Sequence, residues 1–306
     1  MIREGCFVKI TEGGVKKVMK KKQKVKALPY LLVLPTIIGA VIFSFYPFFK
    51  TVLSSFSFTD QFGSWRDWAG TTFWKMMFAD NAFWQILEVS MKFGVVIFIG
   101  TFIFAMFFAL LSNKKTKLGK VSQMLYALPI AVAHATSSVI FRFAIKSDGG
   151  LLNSWLGTDI AWIQQENTAF WVVAIVTIWT HISGSYLYLL AGFRGVPEDV
   201  QEAAIVDGAN GFTRAIKIMI PMASSQIFFV LFLNLISSLK AFTQIRLLTM
   251  GGPGRSTTTF MWEIYKRAVD YGEYEYACCL AIVLFLIIFV ITRIQFAFEK
   301  KFVYYQ

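Results

Sequence analysis

Six stretches of the chain stay apolar for about the twenty residues that a helix needs to cross the hydrocarbon core of a bilayer. They cover 28–49, 86–111, 124–143, 169–193, 218–239 and 276–294. In lipid every backbone polar group must find its partner within the segment, so these runs predict six transmembrane helices and an all-α membrane protein. Of the 306 residues, 56% are hydrophobic and only 16% charged, against about 25% charged in soluble chains. The alternation of an outer-membrane barrel is absent, and no period of 20–50 residues recurs.

The charges cluster between the runs and set the orientation. Lys16, Lys17, Lys20, Lys21, Lys22, Lys24 and Lys26 precede the first run. Lys114, Lys115, Lys117 and Lys120 join the second to the third, and Arg293, Lys300 and Lys301 end the chain. Six spans put all three clusters on one side, which the positive-inside rule makes the cytoplasm, with both termini there. The connections 50–85, 144–168 and 240–275 then face outward, and 194–217 faces inward. The 240–275 connection is basic for an outer loop, with Lys240, Arg246, Arg255, Lys266 and Arg267 offset by Glu263, Asp270, Glu273 and Glu275. Glu88 and Lys92 stand four apart inside the second run, where they pair or snorkel. The first run is too long for a signal-peptide core, and Tyr46-Pro47-Phe48-Phe49 stands where a cleavage site would be, so it reads as a retained helix. The segment 1–14 reads as a poorly ordered tail, with Met19 an alternative start.

Several chemistries have no support. The P-loop pattern is missing: at Gly119-Lys120 a Val follows, and Lys114 stands in place of the first glycine. An ATP-driven version of this protein must take ATP and Mg from another subunit. His134 and His181 are the only histidines, so no zinc-type spacing exists. Each sits in a polar notch of an apolar run, either packing against a neighbouring helix or touching a proton or solute. Cys278 and Cys279 lie in an apolar run and, with Cys6, make no disulfide framework. No nucleophile sits in a catalytic motif, so neither a catalytic residue nor a metal ligand is assigned. The net charge of +12 flanks the apolar runs and is read as membrane anchoring, not nucleic-acid binding.

The most specific stretch lies between the fourth and fifth runs. Pro197 opens a helix whose first turn carries Glu198 and Asp199, favourable at the positive end of the helix dipole. Val200, Ala203, Ala204 and Asp207 advance at helical spacing, Gly208 and Gly211 allow a bend, and a second helix over 212–220 leads to Pro221. Glu202-Ala203-Ala204, then Gly208, then Ile218 and Pro221 follow the spacing E-A-A, three residues, G, nine residues, I-x-L-P, with Ile220 replacing the leucine. This resembles the EAA loop of ABC importer permeases. The resemblance implies a type I importer permease fold, with a permease domain over 28–298, its coupling loop at 197–221, and cytoplasmic tails over 1–27 and 299–306. It also implies that Glu202, Ala203, Ala204, Asp207, Gly208 and Pro221 seat in a cleft of an ATPase subunit.

Other segments resemble the carbohydrate-uptake branch, and within it the permeases of glycerol-3-phosphate importers. These are Pro35, Tyr46-Pro47, Ala127-Leu128-Pro129, Leu151-Leu152-Asn153, Trp179-Thr180-His181-Ile182-Ser183, the stretch 249–266 and Val303-Tyr304-Tyr305-Gln306. The implied partners are a second homologous permease, two ABC ATPase subunits and an extracytoplasmic solute-binding protein, in the bacterial cytoplasmic membrane. Gly251, Gly252, Pro253 and Arg255 read as a turn where the binding protein docks, or as an anion nest. His181, Asn234, Ser237 and Ser238 are the candidate solute contacts, or else polar glue between helices. The competing class is a transporter driven by an ion gradient, which would show inverted repeats and acidic residues on broken helices. The runs carry almost no such acids.

Overall fold

The computed structural model describes residues 28–60, 64–113 and 117–302. The basic segment 1–27, Cys6, Lys114, Lys115 and residues 303–306 lie outside them. Contacts divide the chain into two units at Phe48. In the first, α1 (Leu28–Ala40) and a π turn over Val41–Phe45 lead into α2 (Tyr46–Ser54). Pro35 sits inside α1, and apolar side chains such as Leu32, Ile38 and Phe43 are exposed. A helix apolar on every side suits lipid.

The second unit begins at Phe49, within α2, and continues into an antiparallel hairpin, β1 (Ser57–Thr59) on β2 (Trp65–Trp68), with Ser57 opposite Trp68. The short α3 (Thr72–Ala79) follows. Next comes α4 (Asn81–Ser112), whose N-cap Asp80 accepts from the Ala82 amide at 2.8 Å. Its buried residues Phe83, Ile86, Ser90, Phe93, Ile97, Thr101, Ala105, Ala109 and Ser112 recur every three or four positions. The opposite side shows Val95, Ile99, Ile103 and Phe107, so one face packs and the other is apolar toward lipid.

The predicted third span is not one helix. α5 (Lys117–Ala131) and α6 (His134–Ala144) meet at 98°. Pro129 cannot donate to the helical ladder, and Val132 closes the end by donating to the Pro129 carbonyl at 3.2 Å. Among the described residues, five helices are long and apolar enough to cross a membrane, or six if this bent pair counts as one span. The fold is therefore helical as expected, with the small hairpin added. Neither half of the bent pair contains an acidic residue.

α7 (Leu151–Leu156) is followed by α8 (Glu166–Arg194), the partner of α4 in the main helix pair. Small residues let the helices approach: a Cβ on Gly100 would lie 2.5 Å from Ile178 Cδ1, and one on Gly94 2.6 Å from Leu239 Cδ2. A buried hydrogen bond of 2.8 Å joins Ser112 Oγ to Tyr186 Oη across the pair. The loop helices α9 (Glu198–Val206), α10 (Gly211–Arg214) and α11 (Ile220–Met222) then precede α12 (Ser224–Leu239). The fifth span begins at Ser224 and not at residue 218. It continues after a break into α13 (Thr243–Leu248), which the sequence places in an outer loop.

α14 (Phe260–Tyr265) leads through a π turn, Lys266–Asp270, to α15 (Tyr274–Phe302). α15 runs past residue 299, where a tail is expected to start. Cys279 is buried, with its thiol directed at the Ser55 carbonyl, and Cys278 is half-buried. Glu88 and Lys92 form the expected exposed ion pair. Packing gathers in three clusters, centred on Phe93, Val173 and Ile245, on Ala105, Tyr186 and Phe193, and on Phe83, Phe260 and Leu280.

Candidate functional site: an exposed loop, a bundle cavity and a folded connection

The segment between α8 and α12 forms the expected helix–turn–helix. Pro197 is the N-cap of α9, one position before its expected place. α9 ends in a Schellman turn, with Gly208 N donating to Ile205 O at 3.0 Å and Ala209 N to Ala204 O at 2.9 Å. Gly208 has φ +80, the left-handed conformation such a turn needs, and nothing lies within 4 Å of where its Cβ would be. The Asn210 side chain caps the next turn by accepting from the Thr213 amide at 2.8 Å. The second helix does not stop at Ile220. It passes through a π turn, Ala215–Met219, and continues across Pro221 to Met222.

The loop displays its apolar residues. Val206 is 87% exposed and Phe212 75%, and Glu202, Ala203, Ile205 and Asp207 are also exposed. The two alanines divide, since Ala204 is buried while Ala203 faces out.

Within the bundle, a cavity of about 270 Å³ is lined by residues of α5, α6, α8 and α12. His181, Asn234 and Ser237 line it together with His134, Thr180, Ser185 and Tyr188. Ser238 does not. Its hydroxyl donates to the Leu235 carbonyl of its own helix at 2.9 Å. Asn234 donates through Nδ2 to the Phe98 carbonyl at 3.0 Å, which leaves Oδ1 without a partner. The His134 and His181 rings lie 5.4 Å apart, and the buried His181 Nδ1 also lacks a partner. Gln244 underlies the site from α13, 1% exposed and bonded to both Thr180 and His134. Sequence reasoning passed over it because the break before α13 disguises a span as a loop.

The connection between α13 and α14 closes on itself. Gly251 has φ +86, and the Gly252–Pro253 peptide is cis. Thr257 donates to the Gly252 carbonyl at 3.0 Å and Thr258 to the Gly251 carbonyl at 2.8 Å. A Cβ on Gly254 would stand 2.6 Å from Glu166 Oε1, so a carboxylate already occupies the ground where an anion would rest. The geometry is that of a turn. Beyond it, Arg267 bonds Glu263 and Glu273, and its guanidinium sits 4.4 Å over the Tyr276 ring. Burial opposes its charge, but the hydrogen bonds to Glu273 and Glu263 outweigh this and raise its pKa.

This arrangement belongs to a known class of membrane protein. Residues 103–304 match the family described as binding-protein-dependent transport system inner membrane component, and the chain belongs to it. It is a permease subunit of such an importer, resident in the inner membrane. Among its relatives is the sn-glycerol-3-phosphate transport system permease protein UgpA of Escherichia coli (strain UTI89 / UPEC), 30% identical over 91% of this chain and 96% of the relative. UgpA of Salmonella typhimurium (strain LT2) is 28% identical over the same shares. In fold the chain is similar to a chain of a bacterial ABC transporter involved in the import of the acidic polysaccharide alginate. The TM-score is 0.80 at 20% identity, covering 90% of this chain and 95% of that one. A second structure of the alginate transporter, in complex with alginate pentasaccharide-bound periplasmic protein, gives 0.79.

Proposed function

We propose that this chain is the non-catalytic permease half of an ATP-driven importer for a carbohydrate or for sn-glycerol-3-phosphate. A second homologous permease completes the pathway. Two ABC ATPases bind ATP and Mg, and an extracytoplasmic binding protein delivers the solute. Both termini lie in the cytoplasm, as the lysine clusters require. The loop 197–221 then faces the ATPase.

The observation that supports this reading most is the exposed apolar edge of Ile205, Val206 and Phe212 beside the acidic Glu202 and Asp207. A surface loop gains nothing by leaving such side chains in water, whereas a cleft in a partner buries them. Glu202 offers a charge to that partner, the Gly208 bend sets the angle between the two arms, and Pro221 fixes the return to the membrane. ATP-driven closure of the partner moves α8 and α12, the helices joined to the loop, as a rigid body. The names of the relatives supply the solute classes. The turn at Gly251, Gly252, Pro253 and Arg255 is the proposed landing surface for the binding protein.

The test is purification of the tagged chain from its host and assay of ATP hydrolysis and uptake in proteoliposomes. A P-loop ATPase should co-purify. Glu202→Ala and Gly208→Pro should insert normally yet lose uptake. Normal transport by Gly208→Pro would end the coupling role.

A further inference from the structure

We propose that Gln244 sets the hydrogen-bonding polarity of the bundle cavity, and that this polarity selects an uncharged polyhydroxylated solute over a phosphorylated or otherwise anionic one. This inference rests on the importer reading and narrows its solute class.

The argument starts from proton counting. The Thr180 hydroxyl donates its one hydrogen to the Thr177 carbonyl at 2.8 Å. Thr180 Oγ1 is therefore an acceptor toward Gln244, and the atom that faces it at 2.9 Å must be the amide nitrogen. The same nitrogen stands 3.3 Å from His134 Nδ1. An amide nitrogen only donates, so Nδ1 accepts and the ring hydrogen resides on Nε2. Gln244, 1% exposed, thereby holds His134 in the tautomer that leaves Nε2–H as a donor.

Asn234 supplies the opposite polarity by the same logic. It is 3% exposed and spends its amide nitrogen on the Phe98 carbonyl, so Oδ1 is left as an unpartnered acceptor. Ser185, Ser237 and Tyr188 add hydroxyls that serve in either sense. Donors and acceptors are mixed, as the hydroxyls of a sugar require, since each hydroxyl both gives and takes.

Nothing in the lining favours an anion strongly. Among the described residues no Lys, Arg, Asp or Glu lines the cavity, and the groups there that can take up positive charge are His134 and His181. The start of α6 contributes only about half an elementary charge, short of what a phosphate monoester carries. An anion taken from water without a fixed cation is disfavoured there.

Two measurements test this. In the purified importer complex, with the native cysteines of this chain replaced, Ser185→Cys is alkylated in the presence of maltose, trehalose, raffinose or sn-glycerol-3-phosphate at equal concentration. Protection by at least one neutral sugar and none by sn-glycerol-3-phosphate is expected. Protection by sn-glycerol-3-phosphate equal to or better than the sugars, or no protection by any solute, overturns the proposal. ATP hydrolysis by the same preparation reports on the importer reading separately, so the two can fail independently. The second measurement is ¹⁵N-histidine solid-state NMR of the full chain in bilayers, with His134→Asn used to assign the rings. His134 should carry its hydrogen on Nε2, and Gln244→Glu should move it to Nδ1, because a carboxylate accepts where the amide donated. The sugar concentration for half-protection should rise about tenfold in that variant, the worth of one hydrogen bond, and the unfolding midpoint should fall because a carboxyl group replaces a buried amide. An unaltered tautomer, or an unaltered sugar requirement, removes Gln244 from the role.

Discussion

The segment between α8 and α12 and the segment between α13 and α15 are both built around glycines with positive φ, yet they treat them in opposite ways. At Gly208 the space for a side chain is empty. At Gly251 a Cβ would meet Trp262 Nε1 at 2.5 Å and Thr258 Oγ1 at 2.6 Å. The first segment turns apolar side chains outward, and the second buries Thr257, Thr258, Thr259 and Glu263. The first leaves its apolar side chains exposed, and the second is covered by its own residues. Backbone conformation alone therefore does not distinguish a contact loop from a structural one; what surrounds it does.

Substitutions can break or sharpen that contrast, and thermal unfolding of the detergent-solubilised chain reads most of them. Arg267→Met leaves Glu263 buried without its cation, with an expected loss of about 4 kcal/mol. Glu263→Gln in the same chain should restore part of it. Gly251→Ala combines a strained φ with a clash and should cost about 3 kcal/mol. Gly208→Ala bears the conformational term alone, about 1 kcal/mol. Equal losses at the two glycines would erase the distinction drawn between them. Thr257→Val removes the hydroxyl that bonds Gly252 and meets Thr249 Oγ1 at 2.7 Å, again about 1 kcal/mol. Val206→Asp should leave the midpoint within about 0.5 kcal/mol of the parent and still depress uptake. A large shift of the midpoint there would mean that the loop is part of the core.

The two segments also differ in how well the sequence announces them. Pro197, the Glu202-Ala203-Ala204 triplet and Gly208 act within a few residues of one another, so local rules find the helix, its end and its bend. The α13–α14 connection depends on partners such as Trp262 and Glu166, and Glu166 is far off in sequence. No local pattern shows whether its glycines form a nest or a packed turn. The long apolar runs in α4, α8 and α15 were legible because lipid imposes one requirement on every residue of a span. The 98° bend after Ala131 was not, because a run that breaks and turns has the same composition as one that continues. The same blindness hid Gln244. Of the candidates on α12, the helix presents Asn234 and Ser237 to the cavity but not Ser238, although Asn234 and Ser238 stand four apart. A spacing of four puts residues on one face but does not say which edge of that face looks at a neighbour.

The close contact of Gly100 with Ile178 has a mechanical consequence. It lies along α8, a helix of 29 residues, which makes a rod of about 43 Å. With its side-chain spacer missing, that contact is a natural fulcrum. Thr180 and His181 sit within a turn of it, while the exposed loop hangs from the far end, about 24 Å away. A tilt of about 10° about the fulcrum would swing the loop by roughly 4 Å and move the cavity wall by about 2.6 Å at Tyr188 and by less than about 1 Å at Thr180 and His181, so a long stroke at one end becomes a graded adjustment along the cavity.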